Sequence, residues 1–418
     1  MKSSVSVVEG AWLADDGLRA VLHALDGDAE APNALIVGGA VRDAVLGRSV
    51  GDIDIATRLE PATVSERLAD AGIKTVPTGL AHGTVTAVVG GRAFEITTLR
   101  KDVETDGRRA KVAFTDDWAA DAARRDFTMN ALYCDLNGRV FDPTGEGLDD
   151  ARAGRVRFIG RAEERIAEDY LRLLRFFRFR AHYGRGDGDV EALAACARAA
   201  PELARLSGER LRQETLRLLA APDPGPTIRA MADAGVLEHL MPGGADVERL
   251  ARLVGIETRL GENDPIRRLA ALRFGFDNRA LAERLRLSNA ERDRLIAIGA
   301  PDNRLRADMD AKDARALIHA LGAQRFRDLV MVYEAGAPEK AGQEPWRKFC
   351  ALSESWEAPE FPLRGADLVK AGIAPGKEVG ALLQDLETWW IDRDFVPDRE
   401  ALLGELRRRL ADPGRSRA

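Results

Sequence analysis

Cysteine is scarce in this chain. Its 418 residues hold three, Cys134, Cys196 and Cys350, spaced too widely for a disulfide framework and in no zinc-binding pattern. A reducing compartment, the cytoplasm, is therefore expected. Long apolar runs are absent too: no stretch of about eighteen such residues exists, so no membrane-spanning helix is expected. The opening segment MKSSVSVVEGAWLADDG lacks a long apolar centre, and no signal peptide is expected. Net positive charge is also missing, the formal balance being −6. That does not exclude a nucleic-acid binder, because phosphates are met by local patches and not by whole-chain charge. There is no repeat of fixed period, and nothing points to an obligate protein partner.

What is present is a globular composition, 45% hydrophobic and 31% charged, with a length that suits two to four domains. Arginine far outnumbers lysine and it clusters. A guanidinium fork suits phosphate or base edges, although a genomic preference for arginine codons explains part of the bias.

Two styles of sequence follow one another. Up to about residue 150, short β-like runs alternate with turn signals. Ala34–Val37 is apolar and ends at Gly38-Gly39. Ile53 and Ile55 alternate with Asp52 and Asp54. The runs at 85–89 and 93–97 flank Gly90-Gly91, a hairpin signal, and Asn137-Gly138 marks a second. Helices are expected near 61–71 and 116–125. From Glu163 onward apolar residues recur at helical spacing, with one helix over 163–182 and a succession of others to about residue 411. The fold class is thus α+β, a small mixed sheet with helices followed by an all-α region.

The first chemical signal is Gly51-Asp52-Ile53-Asp54-Ile55. On a strand, Asp52 and Asp54 share one face while the isoleucines enter the core. Two carboxylates so close repel, and a divalent cation relieves the repulsion. Two magnesium ions at such a pair could activate an attacking hydroxyl and stabilise a leaving pyrophosphate. A solvated strand edge is the bland alternative. Upstream, Gly38-Gly39-Ala40-Val41-Arg42 reads as a glycine turn opening a helix, where a phosphate can approach the backbone and meet Arg42. Glu95, in Phe94-Glu95-Ile96-Thr97, is either a third carboxylate or the partner of a nearby arginine.

The second signal is Glu168-Asp169-Tyr170-Leu171-Arg172, continuing through Arg175 and Arg178. On one helix, Asp169 and Arg172 share a face. Cytosine and adenine each offer an amino donor beside a bare ring nitrogen, and uracil and guanine reverse the pattern. A carboxylate beside a guanidinium therefore fits C and A and leaves polar groups unpaired against U and G. Ordinary helix salt bridging, Glu168 to Arg172, is the alternative. Phe176, Phe177 and Phe179 are expected in the core. Arg175 and Arg178 either meet RNA phosphate or form a solvated face. Between the two signals, Arg125, Asp126 and Asn130 offer groups for ribose hydroxyls and phosphates.

In order, the segments GGAVRD, GDIDIAT, HGTVTAVV, FEITTLR, RRDFTMNAL, FDPTGEGLDD, RVRFIG and EDYLRLLRFFRF resemble the class II tRNA nucleotidyltransferase and bacterial poly(A) polymerase family. The likeness spans about residues 34–184, continues through SGERLRQETLRLL and AGVLEHLMP, and weakens after about 245. It implies a polymerase-β-like nucleotidyltransferase head with a five-stranded sheet (1–150), then a helical neck for base recognition (151–225). A helical RNA-binding body (226–340) and a tRNA-binding tail (341–418) would follow. It implies that Asp52 and Asp54 bind metal and, with Glu95, carry catalysis. Gly38, Gly39 and Arg42 would hold the triphosphate, and Arg125, Asp126 and Asn130 the nucleotide. Asp169 and Arg172 would serve as an amino-acid template, supported by Glu168 and Arg175. Residues 102–111 resemble a flexible loop with Asp106 and Arg109 as polar contacts. No histidine precedes an aspartate, so no metal phosphohydrolase activity is expected. The implied function is addition of CCA to tRNA from CTP and ATP, with Mg2+. Poly(A) polymerase stays open, although His82-Gly83-Thr84-Val85 favours the tRNA enzyme. A non-catalytic RNA-binding module also stays open, although binding alone needs no paired carboxylates.

Overall fold

The computed structural model describes residues 6–79, 83–106, 109–186, 188–337 and 343–411, without the side chains of 77–79, 102–106 and 109–112. His82 lies outside them. The chain divides into two units, Met1–Gly244 with Glu283–Leu287, and Ala245–Ala282 with Ser288–Ala418.

The first unit is built on a mixed sheet. Its strands are β1 (Ser6–Val7), β2 (Ala34–Val37), β3 (Asp54–Thr57), β4 (Lys74–Gly79), β5 (Thr84–Val89), β6 (Arg92–Thr98), β9 (Tyr133–Cys134) and β10 (Arg139–Phe141); a separate ribbon pairs β7 (Arg100–Asp106) with β8 (Arg109–Phe114). The order is β1-β10-β9-β2-β3-β6-β5-β4. Both hairpins read from the sequence are present. The expected five strands are instead eight, because the β9–β10 hairpin lets an edge strand join. Gly138 makes that turn at φ 76°, and a Cβ there would stand 2.1 Å from the Val8 carbonyl oxygen. Only glycine lets β1 come so close.

Ala34–Val37 is wholly buried, as a continuous apolar run in a central strand should be. It lies antiparallel to β3, and β3 lies parallel to β6 with Asp54 opposite Glu95. Leu35, Val37, Ala56, Leu99, Trp118, Ala122, Ala131 and Tyr133 make one buried cluster on this frame.

Helices α1 (Asp16–Ala24), α2 (Gly39–Val45), α3 (Pro61–Asp70), α4 (Trp118–Ala123) and α5 (Gly147–Ala153) accompany the sheet. Beyond Phe141 the described residues form no further strand. The helix expected over 163–182 is two, α6 (Ala162–Glu168) and α7 (Leu171–Tyr183), because Asp169 is extended at φ −155°, ψ 105°. Its carboxylate accepts the Leu171 N–H at 3.2 Å, the local competition that makes aspartate a helix terminator. Phe176, Phe177 and Phe179 are buried as expected, Phe179 packing 5.0 Å from Phe127 between ring centroids. Helices α8 (Val190–Ala199) and α9 (Gly208–Leu219) follow.

The second unit is helical among its described residues. One core gathers Leu363, Leu368, Ile373, Leu386, Trp390, Leu402 and Leu406. Elsewhere in it a buried charge network joins Arg268 to Glu257 at 2.5 Å and Arg267 to Asp328 at 2.9 Å. No described helix is long and apolar enough to cross a membrane.

Candidate active site

A cleft of about 850 Å3 in the first unit collects most of the residues singled out in the sequence. Gly38, Gly39, Arg42, Asp52, Asp54, Arg125, Asp126, Asn130, Asp169, Arg172 and Arg175 all line it. Glu95, which is exposed, and Glu168 are not in the lining, but each acts on a residue that is, Glu95 on Asp54 and Glu168 on Arg172.

The acidic end comes from β3. The strand begins at Asp54, and Asp52 lies in the bend before it, so the two are not the i, i+2 pair of a regular strand. Ile53 and Ile55 are buried, as the alternation requires, and anchor this segment. Register places Glu95 on β6 beside Asp54. Asp54 keeps an exposed face, yet partial desolvation in the cleft, then Glu95, then Asp52 push its carboxyl above its ordinary range, with Arg125 pulling the other way. Among the described residues no ion pair to Glu95 is found. Hard, mutually repelling oxygens with a raised affinity for positive charge suit a divalent cation. The described residues contain no ready-made cage of three or more ligating side chains.

The glycine turn lies beside this end. Gly38 has φ 75°, a conformation that strains other residues, and its N–H donates to the Leu132 carbonyl at 3.0 Å. Arg42, expected to contact a triphosphate, lines the cleft and also has partners within the fold. It is only 7% exposed, donates to Asn130 Oδ1 at 2.7 Å and to the Tyr183 hydroxyl oxygen at 2.6 Å, and pairs with Asp43. Its guanidinium also lies 4.1 Å from the centre of the Tyr183 ring. This arginine braces the turn against α7.

The floor is a chain of paired charges. Asp126 accepts the Phe127 N–H and Asn130 Nδ2 on one oxygen, at 2.9 and 3.0 Å, and Arg175 Nε on the other at 2.7 Å. Burial raises its pKa, and Arg175 with these donors outweighs burial, holding the carboxyl below its usual range. Both oxygens are therefore already engaged, so a ribose hydroxyl would share an occupied acceptor. Burial lowers the pKa of Arg125, and Tyr133 and Asp121 more than restore it; the Arg125–Asp121 contact is 2.9 Å.

The far wall is α7. Arg172, Arg175 and Arg178 recur every three residues and so share its cleft side. Arg172 pairs with Glu168 and donates to the Arg165 carbonyl at 3.0 Å. Asp169 pairs with Arg210 of α9 at 2.7 Å. Both line the cleft, yet the single continuous helix expected to align them is broken between them. Arg178 is bound to Glu214 at 3.1 Å and is no solvated face. Burial brings its pKa down to about 10.

Sequence reasoning missed Tyr183, Arg210 and Arg217, which also line the cleft. The last two lie in SGERLRQETLRLL, a segment whose resemblance was noted without naming a residue. Asp106 and Arg109 are cross-strand neighbours ending β7 and opening β8, in a ribbon where a flexible loop was expected. Their side chains lie outside the described residues. All three cysteines are buried and free.

Residues 34–157 match the family model described as poly A polymerase head domain, and residues 189–247 match the one described as a probable RNA and SrmB-binding site of polymerase A. The mitochondrial CCA tRNA nucleotidyltransferase 1 of Mus musculus is 35% identical over 397 residues, covering 89% of this chain and 86% of the mouse protein. The CCA-adding enzyme of Streptococcus gordonii is 30% identical over 381 residues, covering 88% and 92% respectively. Among solved structures, the Bacillus stearothermophilus CCA-adding enzyme in complex with CTP superposes with a TM-score of 0.74 at 28% identity, covering 94% of this chain and 98% of that one. With such identity sustained over most of both partners, this chain belongs to the CCA tRNA nucleotidyltransferase family.

Proposed function

We propose that this chain adds C, C and A in turn to the 3′ end of tRNA, consuming CTP and ATP and releasing pyrophosphate. One observation supports the reading: Asp52 and Asp54 line the same cleft of about 850 Å3 as Asp169 and Arg172, room for one nucleotide to meet both pairs.

Asp52 and Asp54 would hold a divalent cation, Mg2+ in this reading and two ions with substrate bound, with Glu95 adding negative charge on the strand beside Asp54. The bound metal supplies charge neutralisation for the triphosphate and a lowered pKa for the attacking 3′-hydroxyl. Gly38 and Gly39 let the triphosphate lie against the backbone. The Arg42–Asn130–Asp126–Arg175 chain, with Arg125, keeps floor and wall at a fixed spacing, which is the positioning on which phosphoryl transfer depends. Asp169 accepts from the amino group of cytosine or adenine, and Arg172, steadied by Glu168, donates to the adjacent ring nitrogen. Uracil and guanine leave both groups facing like partners, at a cost of about 1–3 kcal/mol for each unpaired buried group. The β7–β8 ribbon carries Asp106 and Arg109 toward the switch from C to A addition. Residues 1–150 act as head, 151–225 as neck, 226–340 as RNA-binding body and 341–418 as tRNA-binding tail, in a cytoplasmic enzyme.

The test is incorporation of labelled CTP and ATP into tRNA transcripts ending before CCA or after CC, resolved by length. Addition of C-C-A followed by arrest supports the proposal. A growing A ladder without C would move the chain to poly(A) polymerase, and no incorporation would leave only RNA binding.

A further inference from the structure

The proposed base reader contains a built-in hazard. Asp169 and Arg172 carry opposite charges, stand three residues apart across the break between α6 and α7, and line one cleft. A bridge between them would occupy the acceptor and the donor that a base edge needs. Among the described residues no ion pair joins the two. Each is held by a different neighbour. Arg172 is bound to Glu168 and to the Arg165 carbonyl on the α6 side. One Asp169 oxygen takes the Leu171 N–H at 3.2 Å, and the other takes Arg210 Nη2 at 2.7 Å.

Helix α9 is a firm platform for that second contact. Leu211, Leu218 and Leu219 are buried on it. Glu214, one turn beyond Arg210, is tied to Arg178 of α7 at 3.1 Å. Helix α9 thus carries two ties of opposite polarity, Glu214 to α7 and Arg210 to the break before it, and the Arg210 tie ends on the carboxylate proposed to read the base.

We propose that Arg210 is a positioning residue for nucleotide selection: its guanidinium holds the Asp169 carboxylate apart from Arg172, so that acceptor and donor both face the base. This rests on the assignment of Asp169 and Arg172 as base readers. Without Arg210, Asp169 is released toward the cations of α7, where Arg175 already acts on it and Arg172 is the proposed donor, and a bridge to Arg172 neutralises the base reader. The cleft then binds C and A less well while losing its penalty against U and G.

The experiment measures kcat and KM for CTP, ATP, UTP and GTP on tRNA transcripts with Arg210→Ala, Arg210→Lys, Asp169→Ala and the Arg210→Ala/Asp169→Ala double variant. Arg210→Ala is expected to lower the preference for C and A over U and G by about tenfold, mainly through KM of the correct nucleotides. Arg210→Lys is expected to recover part of it, and also serves if the alanine variant fails to fold. Because Arg210 acts through Asp169, its removal adds nothing once Asp169 is gone. Unchanged selectivity in Arg210→Ala beside lost selectivity in Asp169→Ala would overturn the inference. Independent, additive losses would overturn it too, pointing to direct contact of Arg210 with the nucleotide. Full selectivity in Asp169→Ala would overturn the base-reading assignment itself.

Discussion

Arg175→Met asks whether the cleft floor is held by charge pairing. Asp126 is 9% exposed, and Arg175 covers one of its oxygens at 2.5 and 2.7 Å. Removing one member of a buried pair costs about 3–5 kcal/mol, because the survivor keeps its charge without a partner. The Arg175 side chain is 32% exposed, so water reaches part of the freed oxygen, and we take about 2 kcal/mol. The pH dependence has a definite sign. In the wild type the folded pKa of Asp126 lies below its ordinary value. That contribution is present above about pH 4 and is lost as pH falls through the folded pKa. In the variant burial wins, and the folded pKa rises above the unfolded one. The charged carboxylate is then unfavourable near neutrality and relieved as pH falls. The difference between the two proteins should thus be greatest near pH 7 and shrink toward pH 5. Native-state hydrogen exchange of peptides covering 124–134 and α7 isolates this region from the rest of the chain. A difference below about 0.5 kcal/mol at pH 7, within the range of ordinary surface substitutions, or one independent of pH, would refute the reasoning. Asp126→Asn added to Arg175→Met should restore stability, since the amide has no charge to bury.

Three further outcomes are expected. Asp52→Ala combined with Asp54→Ala should abolish nucleotide incorporation while leaving tRNA binding in a gel-shift assay; retained turnover would remove these residues from catalysis. Gly38→Ala should cost about 1 kcal/mol of stability at its φ of 75°. It should also lower kcat/KM for both nucleotides, measured by steady-state incorporation, with wild-type values counting against a triphosphate role for the turn. Arg268→Met should destabilise the second unit by about 3 kcal/mol in denaturant titrations, because Glu257, fully buried, loses its 2.5 Å partner; no change would mean that the network contributes little.

Much of this was legible in the chain. The apolar run Ala34–Val37, the turn signals Gly90-Gly91 and Asn137-Gly138, and the helical periodicity beyond Glu163 are local properties, set by burial alternation and backbone freedom. They emerged as a mixed sheet followed by helices. The acid pair and the Asp169/Arg172 pair could also be named, because each depends on chemistry that few residue types supply. Two local expectations failed for local reasons. Asp169 caps where a continuous helix was expected, its carboxylate taking a backbone N–H, and Asp52 falls before β3 begins.

Partnership was not legible. Sequence spacing shows which charges are neighbours along a helix, but an arginine's partner depends on what the fold brings within about 3 Å of its guanidinium. Arg42 in GGAVRD gives no sign of Asn130, eighty-eight residues away, or of Tyr183, both of which it meets. Asp126 likewise gives no sign of Arg175, which takes one of its oxygens. Asp169 meets Arg210, forty-one residues on, and not Arg172. Composition, periodicity and motif chemistry determined the kind of fold and the kinds of groups at its site. Which carboxylate holds which guanidinium was decided by how α7 meets the segment at Asp126 and how α9 meets α7 and the break at Asp169, since Coulomb energy depends on distance in space and not along the chain.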